Sequence, residues 1–217
     1  MDGNGRWAQN RGLPRTDGHT AGARATMEVI RAFYDSGVHY LTLYAFSTEN
    51  WKRPAPEIRG IMNLVYRYLS DTVIPEIRTK REIGVCFIGD LSPLPPDLRE
   101  KCIYASSISR GRPYMCSVAL NYGGRAEILR AVRTAVEEGR EDITERDFSS
   151  LMYTATCPDP DLIIRTGGEK RLSNFMLWQS AYSELLFTDL LWPDVRREHV
   201  MEFISEFYSR RRTLGGI

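Results

Sequence analysis

The chain has 217 residues, enough for one domain of ordinary size with a substantial core. Its formal net charge of +1 argues against a general grip on nucleic acid, which needs a strong basic excess, so we expect no nucleic-acid partner. The four cysteines lie far apart without the spacing of a metal site, which does not suggest zinc or a redox pair. Because the sequence shows neither a signal peptide nor an apolar run of about 18 residues, we expect a soluble, cytoplasmic protein.

Apolar runs alternate with helical patterns along the chain. This order predicts an α/β fold, with a central, largely parallel β-sheet surrounded by helices, in a single domain over residues 1–217. The predicted strands are Tyr40–Phe46, Val85–Gly89, Tyr114–Asn121, Asp161–Arg165 and Leu185–Phe187. The predicted helices are 21–35, 56–81, 96–108, 124–138, 172–183 and 196–212, with a short helix that begins at Thr144-x-x-Asp147.

The predicted helix 56–81 has an unusually broad apolar face at helical spacing. Such a face usually packs into the core. The alternative is that it forms one wall of an apolar cavity, which would matter if the ligand carried a long hydrocarbon tail.

The first segment, residues 1–7, combines groups that suit a phosphorylated ligand. Gly3 and Gly5 let the backbone turn tightly and present bare N–H groups to an anion. Arg6 can donate two parallel hydrogen bonds to phosphate oxygens, while Asp2 is a hard oxygen ligand suited to Mg²⁺. A polar turn without a ligand is the alternative. Because phosphate loops in parallel α/β folds normally follow a strand, we expect that a first strand is missing before residue 1.

The second segment, Arg165–Asn174, follows a predicted strand and precedes a predicted helix. Ligands of open α/β sheets bind at such positions. Arg165, Arg171 and Ser173 near a helix N-terminus predict a second, independent anion site. The alternative is a basic turn whose charges are solvated.

Other parts of the sequence suit the same kind of ligand. The third segment, Phe46–Pro54, leaves a strand end and mixes hydroxyl, amide, indole and guanidinium groups, which suits a substrate with a charged head and an apolar body. His19 either contacts phosphate or caps and packs a helix. Glu184 is either a second Mg²⁺ ligand or a solvated or paired acid. The arginines at 210–212 form either a solvated helix end or an arm that reaches a phosphate.

Two anion sites, a metal carboxylate and an apolar wall together indicate two phosphorylated substrates that are joined beside a hydrophobic cavity. No GxxxxGK[ST] motif occurs and no GxGxxG motif follows a strand, so ATP-binding and NAD-binding interpretations lack their motifs. No serine or cysteine lies in a recognisable nucleophile motif.

These segments resemble the cis-prenyltransferase family. The matching motifs occur in family order over essentially the whole chain, at Met1–Ala8, Gly18–Ala23, Leu43–Pro54, Asn121–Arg125 and Asp161–Asp194. The resemblance implies an apolar tunnel and the condensation of isopentenyl diphosphate, in the cis configuration, onto an allylic diphosphate, usually farnesyl diphosphate. It also implies Mg²⁺ as the cofactor and a homodimer. The product would be a polyprenyl diphosphate, a lipid-carrier precursor that partitions to the membrane, where the protein would be peripheral.

The resemblance further assigns roles by position. Asp2 would bind Mg²⁺ and assist loss of the allylic diphosphate, Glu184 would be an additional Mg²⁺ ligand, and Asn50 would help to remove the proton. The residues that would hold the allylic diphosphate are Gly3, Asn4, Gly5, Arg6, Arg15 and His19. Those that would bind isopentenyl diphosphate are Arg165, Arg171 and Ser173. Those that would position the reacting carbons are Ser47, Asn50, Trp51 and Arg53. Further substrate-binding residues would be Trp7, Thr48, Glu49 and Leu172.

The resemblance also bears on the proton acceptor, the tunnel lining and the contact between subunits. An amide is a poor base, so proton removal through Ser47 or a released phosphate oxygen is physically easier than removal by Asn50 itself. The helix 56–81 would line the tunnel, with Ala45 and Tyr114 as further lining positions. Lys170 stands where some relatives carry histidine. In the homodimer, the arginines at 210 and 212 would reach the neighbouring active site.

Three other functions are alternatives to cis-prenyl transfer. An irregular-terpene synthase of the same fold would join two five-carbon allylic units, whereas the first and second segments suit one allylic and one isopentenyl head. A non-catalytic partner subunit would tend to lose the first carboxylate, but Asp2 is present. A phosphate-binding module without chemistry would be distinguished by a turnover assay.

Overall fold

Five strands form where the sequence has runs of apolar, β-branched and aromatic residues. The computed structural model describes residues 1–80 and 82–210. Its strands are β1 (Tyr40–Ser47), β2 (Ile83–Ile88), β3 (Tyr114–Tyr122), β4 (Leu162–Arg165) and β5 (Glu184–Phe187). All five predicted strands are confirmed, and each end lies within two residues of the predicted one.

The strands pair in parallel, in two groups. In the first group β3 lies between β1 and β2, and Tyr40 is opposite Met115. In the second group β4 pairs with β5, and Leu162 is opposite Glu184. Within each group the loops that follow the strands therefore leave from the same edge. The predicted parallel sheet is confirmed, although it is divided into a three-stranded and a two-stranded part.

Helices surround these strands. Those in the described residues are α1 (Asn4–Gln9), α2 (Arg15–Asp35), α3 (Ala55–Tyr68), α4 (Ile74–Thr79), α5 (Pro96–Ser107), α6 (Gly124–Glu137), α7 (Glu145–Ser150) and α8 (Arg197–Ser209). The buried faces of α2, α3 and α8 share one hydrophobic cluster with β1, which includes Val29, Leu43, Ile61 and Phe203. None of the helices in residues 1–80 and 82–210 is long and apolar enough to cross a membrane.

The predicted start of a short helix at Thr144 is confirmed. The backbone N–H of Asp147 donates to Thr144 Oγ1 at 3.2 Å, and the backbone N–H of Thr144 donates to Asp147 Oδ2 at 3.1 Å. This reciprocal pair satisfies two N–H groups at the start of α7.

The predicted helix 56–81 is interrupted. α3 ends at Tyr68, a π-helical turn spans Leu69–Val73, and α4 follows. Pro75 has no backbone N–H, and in a regular α-helix its ring would collide with the carbonyl of Asp71, four residues earlier. The wider π turn accommodates the proline, so the apolar face continues into α4, where Ile77 is buried.

The predicted helix over 172–183 is wrong, because this stretch is a series of turns. Ser173, Asn174 and Met176 have φ angles of 49°, 66° and 44°, in the left-handed region that a right-handed helix cannot use. The side chain of Asn174 accepts a hydrogen bond from the Arg125 N–H at 2.9 Å, and its carbonyl accepts one from the Gly124 N–H at 2.7 Å. The turn is therefore fixed to the start of α6.

Candidate active site

A cavity of about 1140 Å³ runs along β1 and β4. Every residue from 36 to 45 and every residue from 157 to 166 lines it, so it follows the edges of both strands. In the described part of the chain, β1 is paired only with β3 and β4 only with β5. The lining combines charged side chains such as Arg6 and Arg165 with apolar ones such as Phe33 and Phe203. Such a cavity suits a ligand with a charged head and an apolar body.

Asp2 is fixed through both its backbone and its side chain. Its N–H donates to Thr166 Oγ1 at 2.9 Å, and its carbonyl accepts from that hydroxyl at 2.8 Å and from the Trp192 N–H at 3.0 Å. Oδ1 accepts from the Gly3 N–H at 2.7 Å, and Oδ2 accepts from Arg165 Nη2 at 3.1 Å. The side chain is 41% exposed and lines the cavity, so its oxygens remain accessible to a ligand.

Arg165 joins the first and second segments. Besides its bond to Asp2, its Nη1 donates to the carbonyl of Arg171 and to Ser173 Oγ, the latter at 2.7 Å. Its side chain is only 16% exposed, and a buried guanidinium has to be paired. Arg171, Leu172 and Ser173 line the same cavity as Asp2. The structure thus brings together the predicted residues of two anion sites that are far apart in the sequence.

Arg6 makes a second connection between these segments. Its Nη2 donates to the carbonyl of Gly167 at 2.5 Å and lies 3.8 Å from Asp2 Oδ1. Gly167 has a φ of +87°, and a Cβ there would lie 2.7 Å from Arg6 Nη2 and 3.3 Å from Asp2 Cβ. A side chain at this position would therefore displace the Arg6 guanidinium and press on Asp2, and glycine avoids both effects.

The other residues of the first segment have different environments. Gly3, Asn4 and Gly5 line the cavity. The amide oxygen of Asn4 is buried without a partner in the described residues. A Cβ on Gly5 would lie 2.6 Å from Arg15 Nη1, so the guanidinium of Arg15 rests directly on this backbone.

Arg15, His19 and Arg53 share one carboxylate, that of Glu57. Arg15 Nε lies 3.3 Å from Oε2, whereas His19 Nε2 and Arg53 Nη1 each lie 3.1 Å from Oε1. Burial lowers the pKa of His19, and the bond to Glu57 opposes this effect only in part, so the imidazole is neutral near pH 7. Burial by itself would raise the pKa of Glu57, but hydrogen bonds from His19 and Arg15 outweigh it, and the net effect lowers that pKa. Glu57 is therefore ionised.

The third segment is stabilised by a hydrogen bond within it and by another to the second segment. The Ser47 N–H donates to Asn50 Oδ1 at 3.1 Å, at the start of the 3₁₀ turn Thr48–Lys52. Glu49 Oε1 accepts from Asn174 Nδ2 at 2.9 Å. Burial would raise the pKa of Glu49, but this bond and others to its carboxylate lower it overall. Ser47, Glu49 and Asn50 all line the cavity.

Trp7, Thr48 and Trp51 are not among the described residues that line the cavity. Trp7 Nε1 donates to Asp194 Oδ1 at 2.7 Å, and Trp51 Nε1 donates to Asn121 Oδ1 at 2.8 Å. The Thr48 hydroxyl donates to Glu49 Oε2 at 3.2 Å. The hydrogen bonds of these three side chains therefore stabilise the segments that carry the lining residues.

Glu184 lies at the start of the strand pair β4 and β5, whereas Asp2 contacts the residue at the end of β4. Glu184 is the first residue of β5, opposite Leu162, whereas Arg165, which contacts Asp2, is opposite Phe187. Three residues of strand correspond to about 10 Å, so Glu184 lies well away from the Arg165 end of this strand pair. Glu184 Oε2 instead accepts from Arg210 Nη1 at 2.9 Å. Arg212 lies outside the described residues.

The predicted tunnel lining is corrected in two respects. Ala45 lines the cavity, but Tyr114 is not among the described lining residues and instead stacks on His39, with ring centroids 4.9 Å apart. Of the predicted helix 56–81, only Ile61 lines the cavity in the part of the chain that the structure describes. The rest of its apolar face packs into the core, which is the more usual role of such a face.

Three residues near this site are missing from the sequence-based predictions. Glu57 lies four residues after Arg53 at a helix start, a spacing at which such side chains meet, and this signal could have identified it. Thr166 contacts Asp2 across 164 positions of sequence, and nothing local marks that contact. Asn174 depends on its left-handed backbone, which a predicted helix at this position conceals.

Comparison with known proteins identifies the family of the chain. Residues 1–215 match the family described as "Putative undecaprenyl diphosphate synthase". The chain is 44% identical to an isoprenyl transferase of Clostridium perfringens and 46% identical to one of Bacillus subtilis, over all of its own length and over 88% and 85% of theirs. The solved lavandulyl diphosphate synthase from Lavandula x intermedia, in complex with dimethylallyl diphosphate, has a TM-score of 0.93 and 32% identity, and covers 99% of this chain and 95% of its own.

The family match spans nearly the whole chain, and the relatives and the solved structure agree with it. The resemblance to cis-prenyltransferases is therefore confirmed. The chain belongs to the undecaprenyl diphosphate synthase family and is an isoprenyl-transferring enzyme.

Proposed function

We propose that the protein condenses isopentenyl diphosphate, in the cis configuration, onto an allylic diphosphate such as farnesyl diphosphate, and that it requires Mg²⁺. The product would be a polyprenyl diphosphate that serves as a precursor of a lipid carrier. The observation that carries the proposal is the bond between Arg165 and Asp2, because it joins two cationic sites at one cavity.

Each diphosphate has its own set of side chains in this proposal. The allylic diphosphate is held by side chains of the first segment, α2 and the third segment, namely Arg6, Arg15, His19 and Arg53. The first N–H groups of α1 add donors that have no partner within the helix. Isopentenyl diphosphate is held by Arg165, Arg171 and Ser173. Arginine suits both roles because its planar donors match phosphate oxygens.

Asp2 fits a magnesium site that is completed by substrate. Mg²⁺ in such sites is held by one or two carboxylates together with substrate phosphates and water. Asp2 Oδ1 accepts one hydrogen bond from Gly3, and Oδ2 accepts one from Arg165. Each oxygen keeps a further lone pair that could bind a metal ion. The described residues hold no group of three His, Cys, Asp or Glu side chains close enough for a metal, so in this proposal the diphosphate and water supply the remaining ligands. The ion would neutralise charge on the leaving diphosphate.

In the proposed reaction, the bond between C1 of the allylic substrate and its diphosphate breaks, and C1 bonds to C4 of isopentenyl diphosphate. A proton then leaves C2 of the isopentenyl unit, and pyrophosphate is released. Arg6, Arg15 and Arg53 stabilise the charge that develops on the leaving group. Asn50 Oδ1 already accepts from the Ser47 N–H, so Asn50 orients the reactants and an oxygen of the departing pyrophosphate takes the proton.

The proposal includes a homodimer that works in the cytoplasm and meets the membrane when it releases product. Tyr182, just before β5, and Tyr208, in α8, are 81% and 79% exposed. Large exposed aromatic side chains of this kind are typical of protein contact surfaces.

A second candidate function is the joining of two allylic diphosphates. The TM-score of 0.93 with lavandulyl diphosphate synthase favours it. The higher identities of 44% and 46% to isoprenyl transferases favour the first candidate.

A product assay tests both candidates. The purified protein is incubated with farnesyl diphosphate, labelled isopentenyl diphosphate and Mg²⁺, and separately with dimethylallyl diphosphate alone. A ladder of polyprenyl diphosphates in the first reaction is the expected result. A product in the second reaction alone would favour the second candidate, and no product in either would contradict both. As a control, Asp2→Ala should lower turnover by about 100-fold or more while circular dichroism stays unchanged.

A further inference from the structure

Glu57 is the point at which three side chains of the proposed allylic site meet. Its Oε1 lies 3.1 Å from His19 Nε2, 3.1 Å from Arg53 Nη1 and 3.4 Å from Arg15 Nη2. A carboxylate only accepts, so His19 Nε2 carries the hydrogen. The Glu57 side chain is 11% exposed and is not among the described lining residues, whereas all three donors line the cavity. Glu57 therefore lies behind the donors.

This arrangement holds like charges together. Arg15 and Arg53 are both cationic and approach the same oxygen, so without the carboxylate they would repel each other. Each carries five N–H donors, of which the bonds to Glu57 use only some. Arg15 uses Nε and Nη2, which leaves Nη1 beside the backbone of Gly5. Glu57 thus fixes the guanidinium groups while it leaves donors free for a ligand.

The same carboxylate connects three parts of the site. Arg15 and His19 belong to α2, and Arg15 rests on Gly5 of the first segment. Arg53 ends the 3₁₀ turn that carries Asn50. A substitution of Glu57 would therefore alter the relative position of the first and third segments, although Glu57 itself does not line the cavity.

We propose that Glu57 is a positioning residue for the allylic diphosphate, and that its carboxylate orders Arg15, His19 and Arg53 so that their free donors converge on that group. The inference rests on the proposed function. It also predicts whether neutralising Glu57 strengthens or weakens binding of the diphosphate. If Glu57 were merely a negative charge near the site, its neutralisation would tighten diphosphate binding. If it orders the donors, neutralisation weakens that binding.

The test compares Glu57→Gln with a matched control, Glu76→Gln. Glu76 also accepts from two cations, Arg31 at 3.0 Å and Lys80 at 3.2 Å, but it lies in α4 and is not among the described lining residues. Binding of unreactive farnesyl thiodiphosphate is measured by calorimetry, and KM is measured for both substrates. Glu57→Gln should weaken binding of the analogue and raise KM for farnesyl diphosphate about tenfold each, with KM for isopentenyl diphosphate within about twofold. Glu76→Gln should match the wild type.

The outcomes separate this inference from the proposed function. Wild-type protein that fails to bind the analogue would overturn the proposed function and the inference with it. Binding by the wild type together with unchanged or tighter binding by Glu57→Gln would overturn the inference alone, as would an equal rise in both KM values. Melting temperatures establish that the variants are folded. Glu57→Asp keeps the charge with a shorter reach, and its affinity should lie between those of the wild type and Glu57→Gln.

Discussion

At the scale of single residues, burial and pairing act against each other at His19. The side chain is 14% exposed and bonds to an ionised carboxylate, yet burial has the larger effect and lowers its pKa. A histidine that is neutral when folded can still donate one hydrogen bond. The protein therefore keeps a donor at this position without adding a third positive charge to Arg15 and Arg53.

This balance predicts a pH dependence of stability. When unfolded, His19 has its ordinary pKa of 6.5, so between that value and the lower folded one the unfolded state binds more protons. We expect the free energy of unfolding to fall as the pH is lowered through 6.5. His19→Gln, which keeps a donor for Glu57, should show a shallower fall in urea titrations between about pH 7.5 and about pH 5.5. Identical slopes in the two proteins would contradict the neutral state of His19.

At the scale of elements, the site depends on close contact between the first and second segments. Gly167 allows this contact because its backbone is left-handed and a Cβ would reach Arg6 Nη2. Gly12 provides a matched comparison. Its φ is also positive, at +66°, but nothing lies within 4 Å of a Cβ placed there.

We expect Gly167→Ala to lose activity and Gly12→Ala to keep it. Both variants pay about 1–2 kcal/mol in stability for a left-handed alanine. Only Gly167→Ala also displaces Arg6 and Asp2, and a shift of about 1 Å at such a site lowers turnover by about 100-fold. Turnover and thermal melts of both variants check this. Equal turnover in the two would mean that the contact between the segments is unnecessary.

Sequence patterns predict some of these elements well and others poorly, for physical reasons. The strands are confirmed because apolar runs of their length have few other ways to be buried. The error at 172–183 arises because Asn174 takes a left-handed conformation that contacts with α6 stabilise, and such contacts have no local pattern. For the same reason Arg165 and Asp2 could be predicted as site residues, whereas their direct bond and the bonds of Thr166 to the Asp2 backbone could not.

At the scale of the whole molecule, the two proposed anion sites come from parts of the chain that are far apart in sequence. Residues of the first segment, α2 and the third segment form one, and Arg165, Arg171 and Ser173 form the other. The Arg171 side chain is 61% exposed and bonds to Glu169, so its removal leaves the ion pair of Arg165 and Asp2 in place. The two sites can therefore be perturbed separately.

We expect Arg171→Ala to raise KM for isopentenyl diphosphate about tenfold and to change KM for farnesyl diphosphate by less than about twofold, since it removes one charge-assisted contact. Arg15→Ala should show the reverse pattern. Steady-state kinetics with each substrate varied in turn measures both. If either variant changed the two KM values equally, the assignment of the two diphosphates to separate sets of side chains would be wrong.

The contacts that hold Asp2 also limit when the site can form during synthesis. Asp2 is synthesised long before its backbone partners, which are Thr166, 164 positions later, and Trp192. Every strand pair in the described residues is parallel, so none closes as a local hairpin, and pairing across long stretches of chain is slow. The Asp2 carboxylate is thus among the last groups to be fixed. A nascent chain interrupted before Trp192 would contain Asp2 and Arg6 without the structure that directs them at a substrate.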